Sequence, residues 1–279
     1  MSDPEPLFRV LVFVAVLLAV GVGFGCSNLS VVNPSFEVTY PEAKQQLRTM
    51  REDPVELDRP LIFVGPFLDP GFAEWVSVGQ AKRYFSDHKR VGGVSFVLWD
   101  SFDSCRAKTI RKVDKLFPPE DADSEQTVEV DVIAFSMGGL VARYAALPPD
   151  PKRGQTRRLN IRRLYTIASP HRGANWAPMG FWNSLARDMN ADSDFLARLV
   201  AGLAVADFEL VPYTRVGDWI VGPDKTSPKG QHPHWVSDCA FEMAHIQAAF
   251  DARIQADILT RLRGGEPLAS LPATPLPER

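Results

Sequence analysis

The sequence is poor in the residues that build metal centres and covalent frameworks. It has three cysteines and five histidines in 279 residues, with no Cys-x-x-Cys pair and no Cys/His cluster. That excludes zinc ribbons, iron–sulfur centres and disulfide scaffolds as the organising principle, and neither a metal nor a cofactor is expected. An excess of one charge is missing too: 31 Lys and Arg face 34 Asp and Glu, a formal net charge of −3. No basic stripe stands out, so no nucleic-acid partner is expected. The densest basic run, "PKRGQTRRLNIRRL", is interrupted by Pro and Gly and reads as a solvated loop leading into a strand. There is no internal repeat. There is also no apolar run of the roughly 20 residues that a membrane-spanning helix needs. The longest unbroken run is Val10 to Val20.

That run follows a single Arg9 and is continued by glycines as far as Cys26. Its length fits the apolar region of a secretory signal, and Gly23 and Gly25 suit cleavage. Cys26 after them resembles the lipobox of bacterial lipoproteins, although Gly23 and Phe24 stand where Leu and a small residue are usual. Residues 1–26 are therefore expected to be a signal peptide or a lipoprotein signal and anchor. The chain is expected to be exported to the bacterial cell envelope, either lipid-anchored at Cys26 or secreted or periplasmic. Cys105 and Cys239 remain, as one disulfide or as two buried thiols; spacing leaves both open.

With 45% hydrophobic residues the chain has material for one large core. Residues 27–58 read as a polar leader with a short helix near Pro41–Met50. From residue 59 to about 265, short β-rich apolar runs such as "PLIFV", "VGGVSFVLW", "VDVIAF" and "RRLYTIAS" alternate with helix-like segments. This pattern predicts a mostly parallel sheet with helices on both faces. "AHIQAAFDARIQADILTRL" is expected to be one long amphipathic helix, with apolar residues at three- and four-residue steps. Residues 266–279 are Pro-rich and are expected to be a disordered tail. In parallel sheets ligands bind beyond the carboxyl ends of the strands, so the loops after the strands hold the candidates.

One such loop is abrupt. "VDVIAF" runs into Ser136, and "MGGLVARYAAL" starts a helix at once. A Ser on a strained strand-to-helix turn, flanked two residues away by the small Ala134 and Gly138, fits a nucleophile elbow. The turn lifts the hydroxyl above the sheet and aims the Met137 N–H, at a helix N-terminus, toward a developing oxyanion. A Ser capping an ordinary core helix would share the pattern. The second oxyanion donor belongs to the loop after the first central strand. Pro66 has no N–H there, so Phe67 must donate.

A Ser hydroxyl needs a base. Chain order on such a fold is Ser, acid, His. Asp218 follows the strand "FELVPYTRV" and the turn at Gly217, with Asp207 and Asp224 as runners-up. Of the histidines, His88 and His171 precede Asp218. His232 and His234 fall in a Pro-containing loop before the last strand, at the wrong end of the sheet. His245 falls after that strand and is the expected base.

With these pieces in place, the chain resembles the α/β-hydrolase lipases and serine esterases, including bacterial triacylglycerol lipases and inositol-deacylase-like proteins. "DVIAFSMGGLVARYA" is similar to their G-H-S-M-G-G-L-x-A-R-Y elbow. "PLIFVGPFLDPG" is similar to their strand and oxyanion loop, and "TIASPHRGANWA" to their T-P-H-R-G segment. "MNADSDFLARL" is similar to a segment behind the lid. "VGDWIVGP" and the helix led by His245 are similar to their acid loop and last helix. The resemblance spans roughly residues 60–262. It departs at Gly65-Pro66 for His-Gly, at Ala134 for Gly and at Phe135 for His. It implies an α/β-hydrolase fold with Ser136, Asp218 and His245 as nucleophile, acid and base, and a structural hydrogen bond for His171.

A lid-like helical insert is expected over about 174–200, where Trp176, Phe181 and Trp182 would line an acyl pocket. The expected substrate is a small-molecule or lipid ester, with a membrane surface reached through the N-terminal anchor. A non-catalytic binding protein on the same fold, or a hydrolase of thioesters or amides, shares most of these features.

Overall fold

The computed structural model describes residues 35–67, 69, 71–96, 101–121, 123–180, 183–237, 243–270 and 276. In chain order the elements are α1 (Tyr40–Glu52), β1 (Leu61–Val64), α2 (Phe72–Ala81), β2 (Val91–Val94), α3 (Phe102–Leu116), β3 (Val130–Phe135), α4 (Met137–Ala146), β4 (Ile161–Ile167), α5 (Ser184–Asp188), α6 (Asp194–Leu203), β5 (Glu209–Arg215), β6 (His234–Val236), α7 (Ala244–Phe250) and α8 (Ala252–Leu262). The strands form one sheet in the order β2-β1-β3-β4-β5-β6. Every neighbouring pair is parallel.

Period-2 alternation decides which helices cover which face. On β1, Ile62 and Val64 join a core under α3, α4 and α6, with Val132, Leu140 and Leu199. Leu61 faces the other way, into a core with Leu47, Phe85, Tyr213 and Ile258 under α1 and α8. The chain leaves β1 toward β2 at one edge, then returns to β3 on the other side of β1. That reversal opens a crevice at the carboxyl ends of β1 and β3.

Three expectations change. Helix α1 runs from Tyr40 to Glu52, started by a capping box in which Thr39 N–H donates to Glu42 at 2.7 Å. Its buried Ala43 and Leu47 pack into the core shared with α8, so residues 35–58 are part of the body and not a detached leader. The expected long last helix is two helices. Asp251 ends α7 in extended backbone and caps α8, accepting from Arg253 N at 2.9 Å. The apolar stripe continues across this break, which is why periodicity hid it. The start of the expected disordered tail is docked: Phe36 pairs with Ala269, and Leu268 N and Ala269 N donate to Asp257 Oδ1 at 2.6 and 3.0 Å.

In the expected insert, Leu185, Met189 and Phe195 are buried in the main core, and the Phe195 ring stacks on Phe102 at 3.8 Å. Among the described residues no helix is long and apolar enough to cross a membrane. The run Val10–Val20, Cys26, Phe181, Trp182 and Cys239 lie outside the described residues. Cys105 is buried on α3.

Candidate active site

The turn after β3 is strained. Ser136 has φ 54° and ψ −125°, and it and Ala168 are the non-glycine residues at positive φ among those described. Such backbone costs of order 1–3 kcal/mol and persists only where the surroundings impose it. Here close packing imposes it. A Cβ on Gly138 would lie 2.2 Å from the Val64 carbonyl oxygen, and one on Gly139 would lie 2.3 Å from Ser169 Oγ. The tightest approach of helix to sheet therefore falls after the Ser. Ala134 is fully buried in register between Val64 and Thr166, its methyl part of the apolar core. The departure from glycine at that position is accommodated there.

Three of the predicted residues meet. His245 Nε2 lies 3.0 Å from Ser136 Oγ, and His245 Nδ1 lies 2.9 Å from Asp218 Oδ2. Ser136 stands between β3 and α4, Asp218 in the turn after β5, and His245 in the first turn of α7. Asp218 is wholly buried, and its Oδ1 accepts from Ile220 N and Val221 N at 3.2 and 3.1 Å. Those two bonds orient the carboxylate and leave Oδ2 for the imidazole. His245 is nearly buried, with the Phe135 ring 5.2 Å from its own. Phe135, the residue before Ser136, thus packs on the imidazole.

The runners-up do not reach this cluster. Asp207 pairs with Arg158 at 3.2 Å and Asp224 with Arg172 at 3.5 Å, both exposed. His232 is exposed. His234 is not in a loop: it is the first residue of β6 and is buried, and burial pushes its pKa down to about 4. His88 opens a short 3-10 turn capped by Asp87.

As the first residue of α4, Met137 carries one of the N–H groups that a helix start leaves without an intrahelical acceptor. Phe67 is half-buried in the turn after β1. That loop is pinned on both sides. Gly65 N donates to Val94 O at 2.9 Å, and Asp69 caps α2 by accepting from Gly71 N and Ala73 N, each at 3.1 Å.

His171 has a structural place beneath the elbow. Arg143 Nη1 lies 2.9 Å from its Nδ1 and Thr166 Oγ1 lies 2.9 Å from its Nε2. A guanidinium can only donate, so Nδ1 accepts and Nε2–H donates to Thr166. Burial and the adjacent Arg143 hold His171 well below the usual histidine range, hence neutral.

Trp176 sits beside the acid loop, its ring 4.7 Å from that of Trp219 in an edge-on pair, both partly exposed. Backbone bonds join the two segments: Asn175 N donates to Val221 O at 3.2 Å and Trp176 N to Ile220 O at 3.1 Å. Sequence reasoning missed Trp219 as the partner of Trp176, although it adjoins Asp218. It also missed Arg143 as the residue that fixes His171; the only signal was an Arg on the apolar helix of the elbow.

A family described as "Domain of unknown function (DUF7379)" matches residues 111–213, which include the elbow but neither Asp218 nor His245. No curated protein matches the sequence. Among solved structures, phospholipase PlaB from Legionella pneumophila is 14% identical with a TM-score of 0.41, over 62% of this chain and 45% of that one. This chain therefore spans less than half the length of that phospholipase. The mature lipase BlEst2 from Bacillus licheniformis is 12% identical with a TM-score of 0.49, over 75% of this chain and 94% of the lipase. Esterase B from Lactobacillus rhamnosis is 11% identical with a TM-score of 0.37, over 80% and 94%. The sheet order, the parallel strands and the strained turn after β3 are read from this chain itself. They make an open α/β fold, a six-stranded parallel sheet covered by helices on both faces.

Proposed function

We propose that this chain is a serine hydrolase that cleaves carboxylic esters through an acyl-enzyme. The observation that carries the reading is the unbroken hydrogen-bond chain Asp218–His245–Ser136, with the hydroxyl presented on a strained turn. His245 Nε2 takes the Ser136 proton as Oγ attacks the ester carbonyl carbon. The carbonyl electron pair moves to oxygen, where the N–H groups of Met137 and Phe67 receive it. Asp218 holds the ring with Nδ1–H inward and stabilises the imidazolium. His245 then gives its proton to the leaving alkoxide as the C–O bond breaks. Water, deprotonated by the same nitrogen, attacks the acyl carbon and releases the acid, and the proton returns to Ser136.

On the substrate side we favour acyl lipids or small acyl esters, supported by the exposed Trp176 and Trp219 beside the acid loop. Hydrolysis of p-nitrophenyl esters of graded chain length, with and without Ser136→Ala, tests the reading. Turnover that depends on Ser136 is expected, and equal turnover in the variant contradicts it. A parallel panel of thioesters and amides separates an esterase from its neighbours in chemistry. We also place the protein at the bacterial cell envelope through residues 1–26. Incorporation of an alkyne-tagged fatty acid in cells, lost in Cys26→Ser, tests the lipid anchor.

A further inference from the structure

A cavity of about 360 Å³ opens behind the elbow helix, between the C-terminal half of α4, the loop after it and the end of α6. Leu147, Leu199, Leu203 and Phe208 make an apolar wall, and Arg143 lines it as well. On the rim, Arg158 and Asp207 neutralise each other at 3.2 Å.

Arg143 is the anomaly. It is 98% buried by its 2% exposure, yet among the described residues it has no acidic partner. A guanidinium has five N–H groups. Its described bonds use one on Nη1, to the neutral ring of His171, and one on Nη2, to Leu199 O at 2.7 Å. Burial pulls its pKa down to about 10, so it is still a cation at neutral pH. Buried charges are normally paired. Here the cation without an acidic partner lines a cavity that is polar at its rim and apolar along one wall.

We propose that this cavity binds an aliphatic monocarboxylate, a medium-chain fatty-acid anion, with its carboxylate on Arg143 and its tail along the apolar wall. A single cation suits a single negative charge, because Arg158 is already paired with Asp207 and the remaining lining carboxylate, Glu125, is exposed at the edge. The volume suits the tail length: at about 30 Å³ per water-sized group it holds about a dozen heavy atoms, the size of decanoate. The site is distinct from the one around Ser136. Arg143 stands two helical turns further along α4, about 10 Å of rise. The proposal therefore does not rest on the reaction assigned to Ser136.

Isothermal titration of the full chain with decanoate below its micellar range tests it, beside butyrate, inorganic phosphate and three variants. The expected result is one saturable site for decanoate, at least tenfold weaker binding of butyrate and no binding of phosphate. Leu203→Trp, which fills the cavity from its rim, should abolish binding. Arg143→Gln should weaken it at least tenfold, and Ser136→Ala should leave it unchanged. Should Arg143→Gln fail to fold, Leu203→Trp decides alone. Absence of binding, undiminished binding in Leu203→Trp, phosphate binding as tight as decanoate, or loss of binding in Ser136→Ala would each overturn it.

Discussion

Asp218 and Asp257 are both completely buried, and each accepts two backbone N–H bonds on Oδ1. They differ at Oδ2. Asp218 meets His245, whose far nitrogen faces a Ser hydroxyl at the open ends of the strands. Asp257 meets Tyr213 Oη at 2.5 Å and Arg261 Nε at 2.9 Å, and Arg261 reaches on to Glu209 at 3.8 Å. The Arg and Tyr already donate to Asp257. One carboxylate orients an imidazole; the other fastens α8, β5 and the C-terminal segment together. Burial of an aspartate therefore says little about chemistry until its second oxygen is followed outward.

Substitution should separate the two. Asp218→Asn keeps the backbone bonds but favours the wrong imidazole tautomer. A loss of about 10³–10⁴ in kcat is expected, with a melting temperature close to the parent's. Esterase kinetics beside calorimetry check it, and a merely unstable variant would break the contrast. Asp257→Asn should do the reverse. It removes the closest counter-charge of the buried Arg261, which keeps only Glu209 at 3.8 Å, at a cost of about 3 kcal/mol in stability. Turnover per folded molecule, counted by active-site titration, should stay within about twofold.

His234 sharpens the contrast through pH. It packs against the Tyr213 ring, with Asp257 and Arg261 facing it from α8 and Phe36 from the N-terminal segment. Burial lowers its pKa from 6.5 to about 4. Below pH 6.5 the unfolded chain takes up a proton that the folded chain refuses until about pH 4. Stability should therefore fall with acidity across that window, by up to about 3 kcal/mol. His171, also held neutral by burial, works in the same direction. Urea midpoints at pH 7 and pH 5 check this, and His234→Leu should flatten the slope. The smallest effect belongs to the outlying α1. Thr39→Ala removes its capping box and should cost about 1 kcal/mol, without change in turnover.

Much of the site was legible because its chemistry constrains chain order. Ser136, Asp218 and His245 were picked out as a Ser, a later acid after a strand and a still later His, and the fold brings them into one hydrogen-bond chain. The alternating apolar runs likewise gave a parallel sheet, but not its order, since strand adjacency is a property of crossovers and not of any one strand. What stayed hidden depends on single long-range contacts. Nothing in "PLAS" announces that Leu268 and Ala269 donate to Asp257. The break at Asp251 was masked by an apolar stripe that crosses it. His234 was read as a loop residue because Pro233 and the nearby Gly230 outweighed a strand of three residues. Nothing in the sequence of α4 beyond its charge singles out Arg143, and only the packing of α6 and His171 around it makes it buried.

The central claim is that Ser136 Oγ is the nucleophile. The most direct measurement is exposure of the purified chain to a fluorophosphonate, followed by peptide mass spectrometry. One covalent adduct per chain is predicted, on Ser136, slowed by orders of magnitude in Asp218→Asn. An unlabelled protein, or an adduct on another serine, would contradict the account.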